Sequence, residues 1–183
     1  MRRFKRISLT LIAIITVAAG AAGIYVWRSL PASSAQYTVA APLGETTVTI
    51  DANGIPTIDA KSERDLAFTV GFMHARHRLW QLEMHRRIAP GELAEILGPK
   101  ALDTDKFLRT LGLHRAARAQ LERMPLDARA MLQTSADGAN SYMLETMNVR
   151  PPAFVILGVQ PSTWEPVDAV AWAVMMAYDL SGN

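Results

Sequence analysis

From Asp51 to Gly98 the chain reads DANGIPTIDAKSERDLAFTVGFMHARHRLWQLEMHRRIAPGELAEILG, and this stretch decides the fold. Asp51, Asn53 and Gly54 are turn formers, and Ile55-Pro56-Thr57-Ile58 behind them is a β-rich run. Ser62 followed three residues later by Asp65 has the spacing of a capping box, with an acid where Glu or Gln is usual. A helix is predicted from there to about Arg87, ended by Pro90-Gly91, with a second short helix before Gly98. On a helical wheel Thr69, Arg76, Glu83 and Arg87 share one narrow polar stripe, and Glu83 with Arg87 is a favourable i,i+4 pair. Leu66, Val70, Met73, Trp80, Leu82 and Met84 lie on the wide apolar arc. The pattern predicts a central strut that is mostly surrounded by protein.

Moving toward the N-terminus, Thr46 to Ile50 alternates and pairs with Ile55 to Ile58 across the Asp51-Ala52-Asn53-Gly54 turn, giving a hairpin. Residues 30–45, rich in Ala, Ser and Pro, read as a linker. Before them, four positive charges precede Ile7 to Trp27, an uncharged run of 21 residues. At about 1.5 Å per residue that run spans a bilayer, and it exceeds the roughly 7–15 apolar residues of a secretory signal. Residues 1–29 are therefore read as an uncleaved anchor. Ser33-Ser34-Ala35 is a small-x-small sequence that keeps cleavage and secretion open as the alternative. The positive-inside rule leaves the N-terminus cytoplasmic and exports the rest, in a bacterium to the periplasmic face of the inner membrane.

Toward the C-terminus, Asp103-Thr104 starts a helix that continues from Lys106 to about Arg123, with Phe107, Leu108, Leu111 and Leu113 available for a core. Pro125 interrupts, and a second helical pattern runs from Asp127 to Met147 with a weak point at Gly138. Arg150-Pro151-Pro152 breaks the chain, Ala153 to Val159 is a short apolar segment, and a last helix covers Val167 to about Tyr178. The fold class is α+β, mostly helical, with the remaining residues 46–183 forming one segment.

Composition removes several functions. The sequence has no cysteine, which excludes disulfides, thiolate metal sites and a cysteine nucleophile. Its pI of about 9.1 suggests nucleic acid at first sight. Five of the 19 basic residues (Arg2, Arg3, Lys5, Arg6 and Arg28) flank the leader, and the rest of the chain carries 14 basic against 17 acidic residues. The basicity belongs to the leader, so no nucleic-acid partner is expected.

Asp51-x-x-Gly54-Ile55-Pro56, Asp65, Gly71-x-x-His74-Ala75, Arg78-Leu79-x-Gln81, Arg86-Arg87 and Gly91-x-Leu93-Ala94-Glu95-x-x-Gly98, taken in this order, resemble the opening of the α chain of the penicillin acylase family. Asp105-x-x-x-Arg109 and Trp164-x-Pro166-x-Asp168 also fit, so the resemblance covers roughly Thr47 to Asn183. The chain departs from the family at Thr57, where His or a similar polar residue is usual, and at Arg76-His77, where Gln-Asp or Gln-Glu is usual. The resemblance implies an αββα N-terminal-nucleophile hydrolase of linear amides, made as a precursor, of which this is an α-chain segment incomplete at its C-terminus. Its partners would be the β chain of the same precursor, the inner membrane and a small amide substrate. The alternative is a catalytically inactive, membrane-tethered helical binding protein.

Three groups of residues are candidates for chemistry. His74, His77 and His85 share one side of the strut helix, and imidazole suits zinc or copper. They show no HExxH pattern, and their spacing of three and then eight residues is not a usual ligand spacing. Structural histidines buried in the apolar arc are the preferred reading, with no metal ligand named. Ser181 is a second candidate, but no G-x-S-x-G elbow surrounds it. The resemblance implies a serine whose own α-amine is the base, at the start of the β chain, so no catalytic residue is expected here. The third candidate is Tyr178, Asp179 and Leu180, where the resemblance implies acyl-pocket residues; an amphipathic helix end capped near Gly182 is the plainer reading. A calcium ion is implied for the complete enzyme, with no ligand assignable on this chain.

Overall fold

The computed structural model describes residues 2–32, 34–39 and 44–181, with side chains from residue 9 onward. Ser33 of the candidate cleavage sequence, linker residues 40–43, and Gly182 and Asn183 lie outside the described residues. The chain is α+β and mostly helical, with a two-stranded antiparallel sheet. Helix α1 is Arg2–Ser29. Within it Leu9–Ser29 has a mean hydropathy of 2.2, is long and apolar enough to cross a membrane, and buries none of its span in the protein.

Strand β1 (Thr47–Ile50) pairs with β2 (Pro56–Asp59), placing Val48 opposite Ile58 and Ile50 opposite Pro56. The second strand starts one residue later than the sequence suggests because Ile55 belongs to the turn. The Ile55 N–H donates to Asp51 Oδ1 at 2.8 Å, and its carbonyl accepts from the Asp51 N–H at 3.1 Å. Gly54, at φ 80°, supplies the left-handed step that closes the turn. Val48 and Ile50 pack on Phe68, Phe72 and Met73 of the next helix.

That helix, α2 (Glu63–Ile88), is capped by Ser62, whose Oγ accepts from the Asp65 N–H at 3.1 Å and donates to Asp65 Oδ2 at 2.7 Å. It kinks at Arg78, where φ −135° and ψ 27° leave the helical region. Its principal neighbour is α6 (Leu126–Ser141), and the two backbones meet with no side chain between them. A Cβ on Gly71 would lie 1.8 Å from the Ser135 carbonyl oxygen, and one on Gly138 would lie 1.9 Å from that of Phe68. Gly138, expected as a weak point, is thus a point of closest approach.

The wheel reading of α2 is reversed in one respect. Thr69, Arg76, Glu83 and Arg87, the polar stripe, are all buried, whereas Leu66 is exposed and Val70, Leu82 and Met84 are half-buried. Burying these polar groups is tolerable because each has partners. Thr69 Oγ1 donates to the Asp65 carbonyl at 2.8 Å. Arg76 donates to Tyr37 Oη at 3.1 Å and to the Ala32 carbonyl, so part of the stretch read as linker lies along α2. Tyr37 also packs on Phe72, with ring centroids 5.2 Å apart.

Beyond α2 come α3 (Ala94–Leu97), a 3-10 turn (Gly98–Ala101), α4 (Leu102–Leu111) and α5 (Leu113–Arg123). The single helix expected through to Arg123 is divided by Gly112, whose φ of 71° ends α4 in a left-handed cap. Of its expected core residues Leu108 is buried, but Phe107 and Leu111 are exposed. After α6, a π-helical turn (Tyr142–Thr146) leads to α7 (Pro152–Ile156) and α8 (Pro166–Leu180). Ala75, Leu79, Ala139 and Phe154 form one core cluster, and Ala89, Ala117, Val167, Val170 and Ala171 form another that joins α5 to α8.

Candidate functional site

Helix α8 carries Tyr178, Asp179 and Leu180 at its C-terminal end, and its placement is determined at its start. Asn140 grips the backbone of Trp164 from both sides: its Nδ2 donates to the Trp164 carbonyl at 2.9 Å and its Oδ1 accepts from the Trp164 N–H at 2.8 Å. Pro166 then occupies the first turn, where its missing N–H costs nothing. Glu165 and Asp168 complete a capping box in which Asp168 Oδ2 accepts from the Glu165 N–H at 2.8 Å. The Trp164-x-Pro166-x-Asp168 sequence is therefore a mechanical joint.

Two other motifs do the same for the loop between α2 and α4. Asp105 Oδ1 accepts from the Leu93 N–H at 2.9 Å and Oδ2 from the Ala94 N–H at 2.7 Å, while Arg109 Nε donates to the Gly91 carbonyl at 2.9 Å. Arg87 donates to Glu83 Oε1 at 2.7 Å and to Glu95 Oε2 at 2.5 Å. Arg86 adds a 2.8 Å bond to Glu83 Oε1, and the Ser162 N–H reaches Glu83 Oε2 at 3.2 Å. Burial pushes the Glu83 carboxyl up, but the bonds from Arg86, Arg87 and Ser162 outweigh it and hold the pKa below its ordinary value. Asp168 moves the other way: burial raises its pKa to about 6 against the bond from Glu165 and the charge of Arg86.

At the far end of α8 the side chains are open. Tyr178 is 40% and Leu180 68% exposed, and Asp179 is also exposed. Phe107, read from the sequence as core, stands beside Tyr178 with ring centroids 6.5 Å apart and planes tilted by 55°. It joins Tyr178 in an aromatic patch that sequence reasoning missed; the only signal was a large apolar residue on an otherwise charged turn. The patch can recognise an apolar group. Ser181 Oγ donates to the Tyr178 carbonyl at 2.7 Å and caps the helix end.

The three histidines do not behave as one group. His74 and His77 are exposed, contrary to the expectation that they lie buried in the apolar arc. The reason is the reversed stripe, which turns their side of α2 outward. Although His77 is exposed as a whole, desolvation of its ring, followed by the charges of Arg76 and Arg78, holds its pKa low. His85 lies flat on Trp172, with centroids 3.5 Å apart and planes 6° from parallel. Among the described residues no group of three or more potential ligands could hold a metal ion.

The family model described as penicillin amidase matches residues 45–183. The chain is 34% identical over 143 residues to penicillin acylase 2 proenzyme of Pseudomonas sp. (strain SE83), covering 78% of this chain and 18% of that protein. It is 29% identical over 170 residues to the acyl-homoserine lactone acylase QuiP of Pseudomonas aeruginosa, covering 90% of this chain and 20% of that one. The chain thus spans about a fifth of the length of these curated relatives. Among solved structures, a thermostable penicillin G acylase from Alcaligenes faecalis superposes with a TM-score of 0.68 at 27% identity, over 76% of this chain and 75% of that one.

Proposed function

The chain belongs to the penicillin amidase family, and on that premise we propose that it is the N-terminal, α-chain part of an amide hydrolase whose nucleophile lies on a partner chain from the same precursor. The complete enzyme would cleave an amide joining an acyl group to a compact amine. A terminal serine, activated by its own α-amine, would attack the carbonyl, and oxyanion donors would stabilise the tetrahedral intermediate. This chain contributes no group to those steps. Its part is to hold the α8 end over the cleft, where Tyr178, Asp179 and Leu180 line the acyl pocket. A structural calcium ion belongs to the complete enzyme in this reading, with no ligand assigned on this chain and no step routed through it.

The observation that carries this reading is the contrast along α8: a start fixed by buried polar joints and an end whose large side chains are open. Leu180→Ala in the complete enzyme is expected to change relative kcat/KM among acyl-chain lengths by about tenfold, the effect of a side chain's worth of apolar contact. Equal loss on every acyl chain, or no change, would remove Leu180 from the pocket. Periplasmic exposure of the domain on an uncleaved α1 completes the proposal.

A further inference from the structure

We propose that α7 and the cleft behind it are a membrane-docking surface, so that the exported-side lipid leaflet is the partner of this face and sets the domain's orientation. The inference rests on α1 being a retained anchor and goes beyond it, since an anchor alone leaves the domain free to tumble on its tether. A cleft of about 620 Å³ separates the last turns of α1 from the α7 region, with Ala21, Ile24 and Tyr25 on one wall and Val149, Arg150 and Val155 on the other. Tyr25 Oη donates to the Arg150 carbonyl at 2.6 Å and locks the two walls together.

Depth follows from helix geometry. Leu9–Ser29 is about 30 Å long at 1.5 Å per residue, the thickness of the hydrocarbon core. Ala21 and Ile24 therefore lie in its exported half, and Val155 lines the same cleft. The segment is built for that setting. No charged residue occurs from Pro151 to Thr163, and Ile156 is 80% exposed with Val155 and Leu157 also open. Four of its backbone donors are satisfied within the segment: the Phe154 N–H donates to the Pro151 carbonyl, Leu157 to Ala153, Gly158 to Val155 and Val159 to Phe154. Pro151 and Pro152 have no N–H to lose, which suits a segment withdrawn from water. Trp27 and Arg28 lie in the last turn of α1, at its exported end, where such side chains concentrate near the interface.

No cysteine occurs in these 183 residues, so a cysteine introduced for labelling is unique within this chain. The full-length protein is reconstituted in vesicles of phosphatidylethanolamine and phosphatidylglycerol with a polarity-sensitive fluorophore at Ile156→Cys. Leu11→Cys in the anchor and Asp127→Cys at the start of α6 serve as references. Asp127 is at the opposite end of α6 from the turn that leads to the cleft, about 20 Å along the helix. Headgroup-proximal nitroxide lipids are expected to abolish most of the Ile156→Cys emission and leave Asp127→Cys unchanged, while deep nitroxides quench Leu11→Cys. Quenching at Leu11→Cys with none at Ile156→Cys overturns the docking surface and leaves the anchor intact. Silence at both, or removal of residue 11 from the mature protein, overturns the anchor and the docking surface together.

Discussion

Glu83 shows how much one buried carboxylate organises here. It is 3% exposed, and its two oxygens serve Arg86, Arg87 and the backbone of Ser162, 79 residues away in sequence. Removing one member of such a network leaves uncompensated buried charge. Glu83→Ala is therefore expected to destabilise the protein by about 3–5 kcal/mol, seen as a lower urea midpoint. Asp168 supplies the opposite pH dependence. Its folded pKa of about 6 lies above the ordinary 3.8, so its contribution to stability is fully present below 3.8 and is lost as pH rises through about 6. Glu83 has a lowered pKa, so its contribution is present above the ordinary 4.5 and is lost as pH falls through the folded value. Asp168→Asn keeps an acceptor for the Glu165 N–H and carries no charge. It should raise stability above pH 6 by about 1–3 kcal/mol relative to its effect at pH 4. An unchanged difference between melts at the two pH values would contradict this.

At the scale of elements, the crossing of α2 and α6 is the most extensive contact among the described elements. Gly71→Ala or Gly138→Ala forces a methyl group to within 2 Å of a partner carbonyl, which only separation of the helices relieves. Each is expected to cost about 1–3 kcal/mol or more, with a matching fall in thermal midpoint. A wild-type melt for either variant would mean that the helices do not approach so closely. The Ser62 cap, the hairpin turn and the breaks at Pro90-Gly91 and Pro151-Pro152 are legible in the sequence because they are local chemistry. The buried stripe on α2 was not. The partners of Arg76, Glu83 and Arg87 include Ala32, Ser162 and Glu95, and a helical wheel contains none of them. Gly112 gives no break signal in the sequence, because the helical pattern continues on either side of it. Tyr178 and Leu180 are reached through the resemblance, whereas the place of Phe107 beside Tyr178 depends on a contact between residues 71 apart in sequence.

For the molecule as a whole, apolar surface remains open along the groove between α2 and α6. Leu66, Val70, Met124, Met131 and Leu132 line a cleft of about 510 Å³ there. Patches of this kind in a soluble domain mark association surfaces. The 183-residue chain produced alone is expected to self-associate on gel filtration and to show no turnover of a chromogenic phenylacetyl amide. Co-production with the remainder of a precursor should suppress the first and restore the second; a monomeric, active chain would contradict both. The helix crossing also constrains the gene. Any change to the first or second base of a glycine codon introduces a side chain or a stop, leaving only silent third-base changes. The codons for Gly71 and Gly138 therefore have no side-chain-free neighbours that alter the protein, and sequence drift at this crossing is left to the residues around them.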